Sequence, residues 1–163
     1  GQPSFHCLLK VQDGDIESNP GPNCLRIIQC NVNGLRSKIT ELQRLLGKTE
    51  ADVAVLQETN HTTKVQSPKI NDYIPTGRRD RTINRAGGTN TTPHGGIICY
   101  VRKNCCWEIL SNEPIPNCPN FIDSNTLSLR CSSTKQLIRI INFYYPPARA
   151  SVADNRDDNN NFE

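Results

Sequence analysis

The residues best suited to chemistry in this 163-residue chain stand at the ends of two apolar runs. Asn31 follows the run Leu25–Cys30, and Glu58 follows the run Asp52–Gln57. Short apolar runs bounded by polar residues are typical of buried strands, so each strand would end on a polar side chain. An amide donates and accepts hydrogen bonds, and a carboxylate is an oxygen ligand of the kind that Mg²⁺ prefers. The pair is what a metal-dependent phosphoesterase needs, because such an enzyme holds both a phosphate and a metal ion.

Each of these residues also has a simple structural interpretation. Glu58 taken alone is an exposed acid at the end of a strand, while Asn31 and Asn33 are turn residues before Gly34. For a single Glu or Asn this interpretation is the better one. The pairing of the two motifs, with one helix between them, favours chemistry instead.

The segment between the two runs predicts an amphipathic helix. Ser37 is placed as its N-cap residue, and Gly47 lies near its C-terminal end. The apolar positions at helical spacing are Leu35, Ile39, Leu42, Leu45 and Leu46. A strand, a helix and a second strand of this combined length indicate an α/β layer architecture.

The second half of the chain predicts a meander of strands separated by turn residues. The strand candidates are Gly95–Val101, Trp107–Leu110, Thr126–Arg130 and Leu137–Phe143. Between the two halves, residues 60–93 are polar and contain several prolines and glycines. They predict a long surface excursion with one short strand near Tyr73, in which His61 and His94 are exposed.

The composition fits one soluble domain, with 35% hydrophobic and 21% charged residues. The formal net charge of +3 is too small to indicate nucleic-acid binding by itself. Arginines around Asp80 are the best candidates for contact with a DNA backbone, and a solvated arginine-rich loop is an equally good interpretation. These arginines are Arg78, Arg79, Arg81 and Arg85.

The eight cysteines include no C-x-x-C pair and the three histidines are isolated, which argues against a structural zinc site. The sequence contains neither a secretory leader nor a run long enough to span a bilayer. A reducing compartment is therefore expected, with no membrane partner and no secretion. Most of the thiols are then expected to act as small buried apolar groups.

Four stretches, in this order, resemble the motifs of the endonuclease/exonuclease/phosphatase family. They are Asn31–Leu35 (Asn-Val-Asn-Gly-Leu), Leu56–Thr59 (Leu-Gln-Glu-Thr), Gly95–Val101 and Ile140–Pro147. The resemblance implies that Asn31 orients the phosphate and the attacking water, that Glu58 binds a catalytic Mg²⁺ or Mn²⁺, and that Tyr144 donates a hydrogen bond to the scissile phosphate. It also implies the N-terminal part of a four-layered α/β sandwich, in which helices flank two mixed β-sheets.

Two positions differ from the abasic-site nucleases of the family. Asn33 stands where these nucleases often carry an Asp that assists the metal site, and Pro147 stands where they commonly carry an Asn. Both differences make the chain more similar to retrotransposon endonucleases, with Asn33 as a second candidate metal ligand.

The family's water-orienting Asp-x-Asn motif and its Ser-Asp-His motif are expected beyond Glu163. Residues 22–147 are therefore interpreted as the N-terminal part of the domain, and residues 148–163 as a polar segment leading into the rest. We expect an open core with uncovered apolar strand faces, because half of the sandwich would be missing. We also expect the chain to be inactive when isolated.

The string Asp15–Pro22 (Asp-Ile-Glu-Ser-Asn-Pro-Gly-Pro) is similar to the ending of 2A-type ribosome-skipping peptides. The resemblance implies that the Gly21–Pro22 bond is skipped during translation, so that residues 1–21 form an unstructured leader. A Pro/Gly linker turn is the alternative interpretation. The residues concerned are Asp15, Glu17, Asn19, Pro20, Gly21 and Pro22.

Together the two resemblances imply a piece of a non-LTR retrotransposon polyprotein, whose apurinic-like endonuclease nicks DNA to prime reverse transcription. The expected partners are DNA and the downstream reverse transcriptase region of the same polyprotein. Synthesis is expected in the cytoplasm and action in the nucleus. Two alternatives stay open: an abasic-site repair nuclease or phosphatase of the same family, and a non-catalytic remnant of a decayed element.

Overall fold

A computed structural model of the chain describes residues 25–62, 64–84 and 91–146. These ranges contain nine strands and one α-helix. In chain order the elements are β1 (Ile27–Asn31), α1 (Ile39–Thr49), β2 (Val53–Gln57), β3 (Tyr73–Arg79), β4 (Thr82–Asn84), β5 (Thr91–Pro93), β6 (Ile97–Arg102), β7 (Trp107–Glu113), β8 (Asp123–Cys131) and β9 (Leu137–Tyr144). The string Asp15–Pro22, Arg85, Pro147 and the segment 148–163 lie outside the described residues.

The first strand, the helix and the second strand form the predicted β-α-β unit. β1 and β2 pair in parallel, with Asn31 opposite Gln57. Because parallel strands run in the same direction, the residues that follow them emerge at the same edge of the sheet. The helix between them buries Leu42 and Leu46 in the cluster that also contains Leu56 of β2.

The start of the helix differs from the prediction that Ser37 is its N-cap. A short 3₁₀ turn, Leu35–Lys38, precedes α1, and no side chain caps the helix. Ser37 lies inside this turn, and its hydroxyl donates to the Gly34 carbonyl (3.0 Å). Leu35 is fully buried in the same turn, so the burial of an apolar residue rather than a cap fixes the entry into the helix.

The first sheet has the strand order β1-β2-β6-β3. It is mixed, because β2 pairs in parallel with β1 and antiparallel with β6. All five residues of β2 are buried. A central strand covered on both faces consists of a nearly continuous apolar run, which is why the sequence predicts it well.

β3 confirms the strand predicted near Tyr73, but this strand extends to Arg79 and belongs to the first sheet rather than to a surface excursion. It is an edge strand and pairs antiparallel with β6. Pro75 and Gly77 conceal its length, since both residue types are depleted in sheets. Pro75 is tolerated because an edge strand leaves one row of backbone groups unpaired. β4 and β5 pair with each other as a separate two-stranded sheet.

His61 is buried, at 5% exposure, and not exposed as expected. Burial lowers the pKa of its imidazole, and the positive charge of Arg78 lowers it further. The side chain is therefore held neutral. Within the part of the chain that the structure describes, neither of its ring nitrogens has a hydrogen-bond partner.

The second sheet is antiparallel, with the strand order β7-β8-β9. The predicted meander is confirmed for these three strands, whereas β6 belongs to the first sheet. The two sheets pack face to face. Val55 and Val101 of the first sheet share one buried cluster with Trp107, Leu127 and Ile140 of the second, and burial of such side chains is the main favourable term in folding.

The predicted fold class, an incomplete α/β sandwich, is confirmed. Among the described residues, α1 covers one face of the first sheet and the second sheet covers the other. The part of the second sheet that the described residues form, β7 to β9, is antiparallel. Its outer face carries Leu137, Ile141 and Phe143, which are 66%, 59% and 61% exposed. This is the uncovered apolar strand face that an incomplete sandwich implies.

Three of the six cysteines among the described residues are buried, fewer than the majority that was expected. Cys30, Cys99 and Cys131 are buried thiols, and burial raises the pKa of Cys99 to about 11. The helix that the described ranges contain is neither long nor apolar enough to cross a membrane.

Candidate active site

Backbone hydrogen bonds join the loop after β1 to the loop after β2. The Gly34 amide donates to the Glu58 carbonyl (2.8 Å), and the Leu35 amide donates to the Thr59 carbonyl (3.0 Å). The parallel alignment of the two strands thus continues beyond their ends. The two sequence motifs that contain Asn31 and Glu58 are therefore adjacent in space.

The Gly95-Gly96 turn before β6 is bonded to the same loop. The Thr59 amide donates to the Gly96 carbonyl (3.2 Å). The Asn60 amide donates to the Gly95 carbonyl and Asn60 Oδ1 accepts from the Gly95 amide, both at 2.8 Å. Gly96 has φ +86, and a Cβ there would lie 2.7 Å from Thr59 Oγ1 and 2.9 Å from the Arg79 carbonyl. Only glycine fits such a turn without strain.

The second sheet contributes Tyr144, the last residue of β9. Its hydroxyl donates a 2.9 Å hydrogen bond to Glu58 Oε1, although the two residues are 86 positions apart. Tyr144 is buried and Glu58 is partly exposed. The tertiary structure thus brings together two of the three residues to which the family resemblance assigns catalysis.

The Tyr144 hydroxyl keeps its proton over a wide pH range. Burial raises its pKa, and the hydrogen bond to Glu58 and the nearby charges of Glu58 and Asp123 raise it further. The positive charge of Arg81 acts in the opposite direction and is the smaller effect. Tyr144 is therefore a hydrogen-bond donor rather than a phenolate.

Asn31, the third predicted catalytic residue, lies at the mouth of a cleft between the edges of the two sheets. The cleft has a volume of ≈490 Å³, and its lining includes Asn31, Gln57, Tyr144 and Tyr145. This volume is in the range of small-molecule sites. The Asn31 side chain is exposed, and its Oδ1 accepts from the Asn33 amide (3.2 Å).

Similarity to known proteins is confined to solved structures. No protein-family model matches the sequence, and the comparison with curated proteins gives no significant match. Among solved structures, the catalytic domain of human Nocturnin with a bound sulfate anion superposes with a TM-score of 0.50 at 13% identity, over 72% of this chain and 48% of that domain. A humanized D. rerio TDP2 with 14 mutations gives a TM-score of 0.49 at 19% identity, over 79% of this chain and 54% of that structure.

Nocturnin has the endonuclease/exonuclease/phosphatase superfamily fold. The chain has part of this fold. It spans about half the length of the two solved structures that it matches. At such low identity the likeness concerns the fold, and the chemistry has to be argued from the side chains.

The candidate metal ligands that the sequence predicted at this edge are the carboxylate of Glu58 and the side-chain amide of Asn33, with the amide of Asn31 beside them. Glu58 Oε1 accepts from Tyr144, and Asn33 Oδ1 accepts from Asn60 Nδ2 at 3.4 Å. Residues 25–62, 64–84 and 91–146 contain no group of three His, Cys, Asp or Glu side chains placed to hold a metal ion. Mg²⁺ keeps several waters and is often held by one or two carboxylates. Glu58, with an amide oxygen of Asn31 or Asn33, fits part of such a site.

Asp123 is a site residue that the sequence did not reveal. Its Oδ1 accepts from Arg81 Nε (3.1 Å), and its Oδ2 accepts from the Gly96 amide (2.9 Å). Asp123 is also the cross-strand partner of Tyr144. Asp123 therefore connects the Gly95-Gly96 turn, which its carboxylate binds, to Tyr144, with which it pairs across the second sheet.

Asp123 and Asn125 have the Asp-x-Asn spacing that was expected beyond Glu163. They act differently from a water-orienting pair, because Asn125 is fully buried and a Cβ on Gly77 would lie 2.9 Å from its Cγ. Two further strings with this spacing, Asp157–Asn159 and Asp158–Asn160, lie outside the described residues. The spacing alone is therefore a poor indicator of the motif.

The arginines predicted to contact DNA already have acceptors within the protein. Arg78 forms an ion pair with Asp80 (2.8 Å) and donates to the Thr62 carbonyl (2.8 Å). Arg81 is bound to Asp123, and Arg79 donates to the Arg78 carbonyl (3.2 Å). These contacts favour a structural role for the three described arginines, and contact with DNA stays a prediction for the cluster.

Proposed function

We propose that the chain is the first part of a divalent-metal-dependent phosphodiester hydrolase. The observation that carries this proposal is the 2.9 Å hydrogen bond from Tyr144 to Glu58, at a cleft that Asn31 also lines. Asn31 ends β1, Tyr144 ends β9 and Glu58 directly follows β2, so the three polar groups lie at one edge of the sandwich. A buried hydroxyl, an amide and a carboxylate can respectively donate to a phosphate, orient it and hold a metal ion.

Each residue has a distinct part in this proposal. Glu58 holds the ion, Mg²⁺ or Mn²⁺, with Asn33 as a second oxygen donor. A bound divalent ion neutralises charge on the phosphate and stabilises the leaving oxygen. When substrate binds, the Tyr144 hydroxyl keeps its proton and moves its hydrogen bond from Glu58 to a phosphate oxygen, and the Asn31 amide orients the phosphate. Asp123 and the Gly95-Gly96 turn hold Tyr144 in place.

The finer proposal is a DNA-nicking endonuclease from a non-LTR retrotransposon polyprotein. It is supported by Asn33 and Pro147 at positions where abasic-site nucleases differ, and by the 2A-type string Asp15–Pro22. DNA and the reverse transcriptase region of the polyprotein are the proposed partners. The 163-residue chain alone is expected not to nick a supercoiled plasmid in Mg²⁺, because the water-orienting residues of the family are assigned to the remainder of the domain.

Terbium luminescence tests the metal-binding part of the proposal. Tb³⁺ prefers oxygen ligands and emits when a nearby tyrosine transfers excitation to it. We expect tyrosine-sensitised emission from the chain, loss of emission in Glu58→Gln, and competition by Mn²⁺ or Mg²⁺. Glu108→Gln is the matched control, because Glu108 is exposed and pairs with Arg130 at the surface. Emission that survives Glu58→Gln would contradict the assignment.

Translation between two reporters tests the leader. A cell-free system programmed with the string Asp15–Pro22 between two reporter proteins is expected to give two separate chains. Pro20→Ala is expected to restore the fused product, because it removes one of the two fixed φ angles around Gly21. A single fused product from the unaltered string would count against ribosome skipping.

A further inference from the structure

An aromatic pair borders the candidate site. The rings of Phe121 and Tyr145 have their centroids 5.8 Å apart and their planes at 85°. Both side chains are about half exposed, at 49% and 54%. Tyr145 directly follows Tyr144 and lines the same cleft, so the pair lies next to the proposed phosphate contact.

The pair joins the end of the uncovered face of the second sheet to a loop. Ile141 and Phe143 alternate along β9 on that face, and exposed Tyr145 continues the alternation one residue beyond the strand. Phe121 comes from the loop before β8, and Tyr145 comes from the residue after β9. Two rings from separate segments therefore meet where β8 and β9 approach the cleft.

The segment that carries Phe121 is fixed on both sides by one arginine. Arg81 Nη2 donates to the Asn120 carbonyl (3.2 Å), and Arg81 Nε donates to Asp123 (3.1 Å). The Ile122 amide closes the turn by donating to the Pro119 carbonyl (2.9 Å). Phe121 is thus held in position before any ligand arrives, which lowers the entropy cost of binding.

We propose that Phe121 and Tyr145 form a stacking platform for one base of a single-stranded nucleic-acid segment, next to the phosphate bound at Tyr144. The proposal rests on the proposed function and adds a base-binding site to it. Two rings at a right angle form a corner, in which a planar base stacks on the face of one ring and meets the edge of the other. Because base and phosphate belong to the same nucleotide, adjacent contacts by Tyr144 and Tyr145 suit one nucleotide. Every base has a π face, so this contact tolerates any sequence.

Binding of labelled oligonucleotides to the 163-residue chain tests the platform. One probe is a short single-stranded oligodeoxynucleotide carrying 2-aminopurine, whose fluorescence falls when the base stacks. The other is an abasic oligonucleotide of equal length, which has the same phosphates and no bases. Both are titrated in EDTA, so that no metal-dependent cleavage interferes. We expect the base-containing probe to bind about tenfold more tightly than the abasic probe, with quenching.

Substitutions at the platform separate stacking from general binding. Tyr145→Ala and Phe121→Ala are expected to make the two probes bind equally and to abolish quenching, and Tyr145→Trp is expected to retain both. Leu110→Ala is the matched control, since Leu110 is 45% exposed on β7 and should change nothing. Circular dichroism confirms that each variant stays folded.

The outcomes distinguish this inference from the proposed function. Equal affinity of the unaltered chain for the two probes would overturn the platform, as would unchanged quenching in Tyr145→Ala. Emission from Tb³⁺ that depends on Glu58 would still support the hydrolase proposal in either case. Conversely, base-dependent binding without a metal site at Glu58 would support the platform and contradict the hydrolase. Concentration-dependent self-association that is lost in Tyr145→Ala, without base-dependent binding, would assign the pair to contact with a second copy and overturn the proposal.

Discussion

Gln57 Nε2 donates a 2.8 Å hydrogen bond to Asn142 Oδ1 in the buried space between the two sheets. Asn142 Nδ2 in turn faces the carbonyl oxygens of Leu56 (3.3 Å) and Ile98 (3.4 Å). Gln57 directly precedes Glu58, and Asn142 lies two residues before Tyr144. This buried contact therefore sets β9 in one register over β2 and, with it, the Tyr144 hydroxyl over the Glu58 carboxylate.

Replacing Asn142 by Leu is expected to destabilise the fold by about 1–3 kcal/mol, because the buried Gln57 amide loses its partner. It should also weaken Tb³⁺ emission, since Tyr144 loses its position over Glu58. Urea unfolding followed by Trp107 fluorescence measures the first effect. Asn112→Ala is the control, because the Asn112 side chain is exposed and donates to Thr76 Oγ1 (3.0 Å) at the surface, and a change within about 0.5 kcal/mol is expected. Equal effects of the two substitutions would contradict the role of Asn142.

Gly96→Ala is expected to cost more than about 1 kcal/mol of unfolding free energy. Gly96 has φ +86, and a Cβ would lie 2.7 Å from Thr59 Oγ1.

Gly47→Ala is expected to have the opposite effect on stability. Gly47 lies within α1, and a Cβ added there would have no contact within 4 Å beyond its own helix backbone, so alanine should stabilise the helix by about 0.5–1 kcal/mol. Thermal unfolding of both variants should give shifts of opposite sign.

The ion pair between Arg81 and Asp123 is expected to contribute more to the free energy of unfolding than an ion pair at the surface. Their side chains are 15% and 9% exposed, whereas those of Arg130 and Glu108 are 45% and 51% exposed. Removing one partner of a buried pair costs about 3 kcal/mol, and an exposed pair is worth less than about 1 kcal/mol. Double-mutant cycles with Arg81→Met and Asp123→Asn, and with Arg130→Met and Glu108→Gln, compare the two coupling energies. Similar coupling energies for the two pairs would show that the ion pair between Arg81 and Asp123 stabilises the fold no more than a surface pair does.

The stability of the chain is expected to fall above about pH 10, partly through Tyr144. Burial raises the pKa of Tyr144 in the folded state, so the unfolded chain releases this proton first. The folded state then binds more protons than the unfolded state, and unfolding becomes more favourable as the pH rises. Burial also raises the pKa of Tyr73, and that of Tyr100 to about 12, so both add to the fall.

The contribution of Tyr144 is isolated by the variant Tyr144→Phe. Its unfolding free energy should decline less steeply between about pH 10 and pH 12 than that of the unaltered chain. Urea unfolding at several pH values measures the two slopes. Identical slopes would mean that the Tyr144 hydroxyl ionises as in the unfolded chain, and that its hydrogen bond to Glu58 is not maintained.

The layered fold and its first strands follow from local patterns. β1 and α1 carry a regular apolar period, β2 is a nearly continuous apolar run, and the meander strands β7 to β9 are separated by turn residues. A strand near Tyr73 follows as well, but the length of β3 and its place in the first sheet do not, because Pro75 and Gly77 mask its alternation and only an edge position makes a proline acceptable there. His61 is another such case. A polar residue in a polar stretch gives no local sign that the packing of neighbouring elements will bury it.

By itself, the sequence determined which residues stand at the ends of parallel strands, and so it placed Asn31 and Glu58 at one edge of a sheet. Only the tertiary structure decided what joins them there. The contact of Tyr144 with Glu58, the Asp123 link and the Asn142 bridge all cross between two sheets. Such contacts depend on how the sheets pack, and no short-range pattern encodes packing between residues that are 86 positions apart.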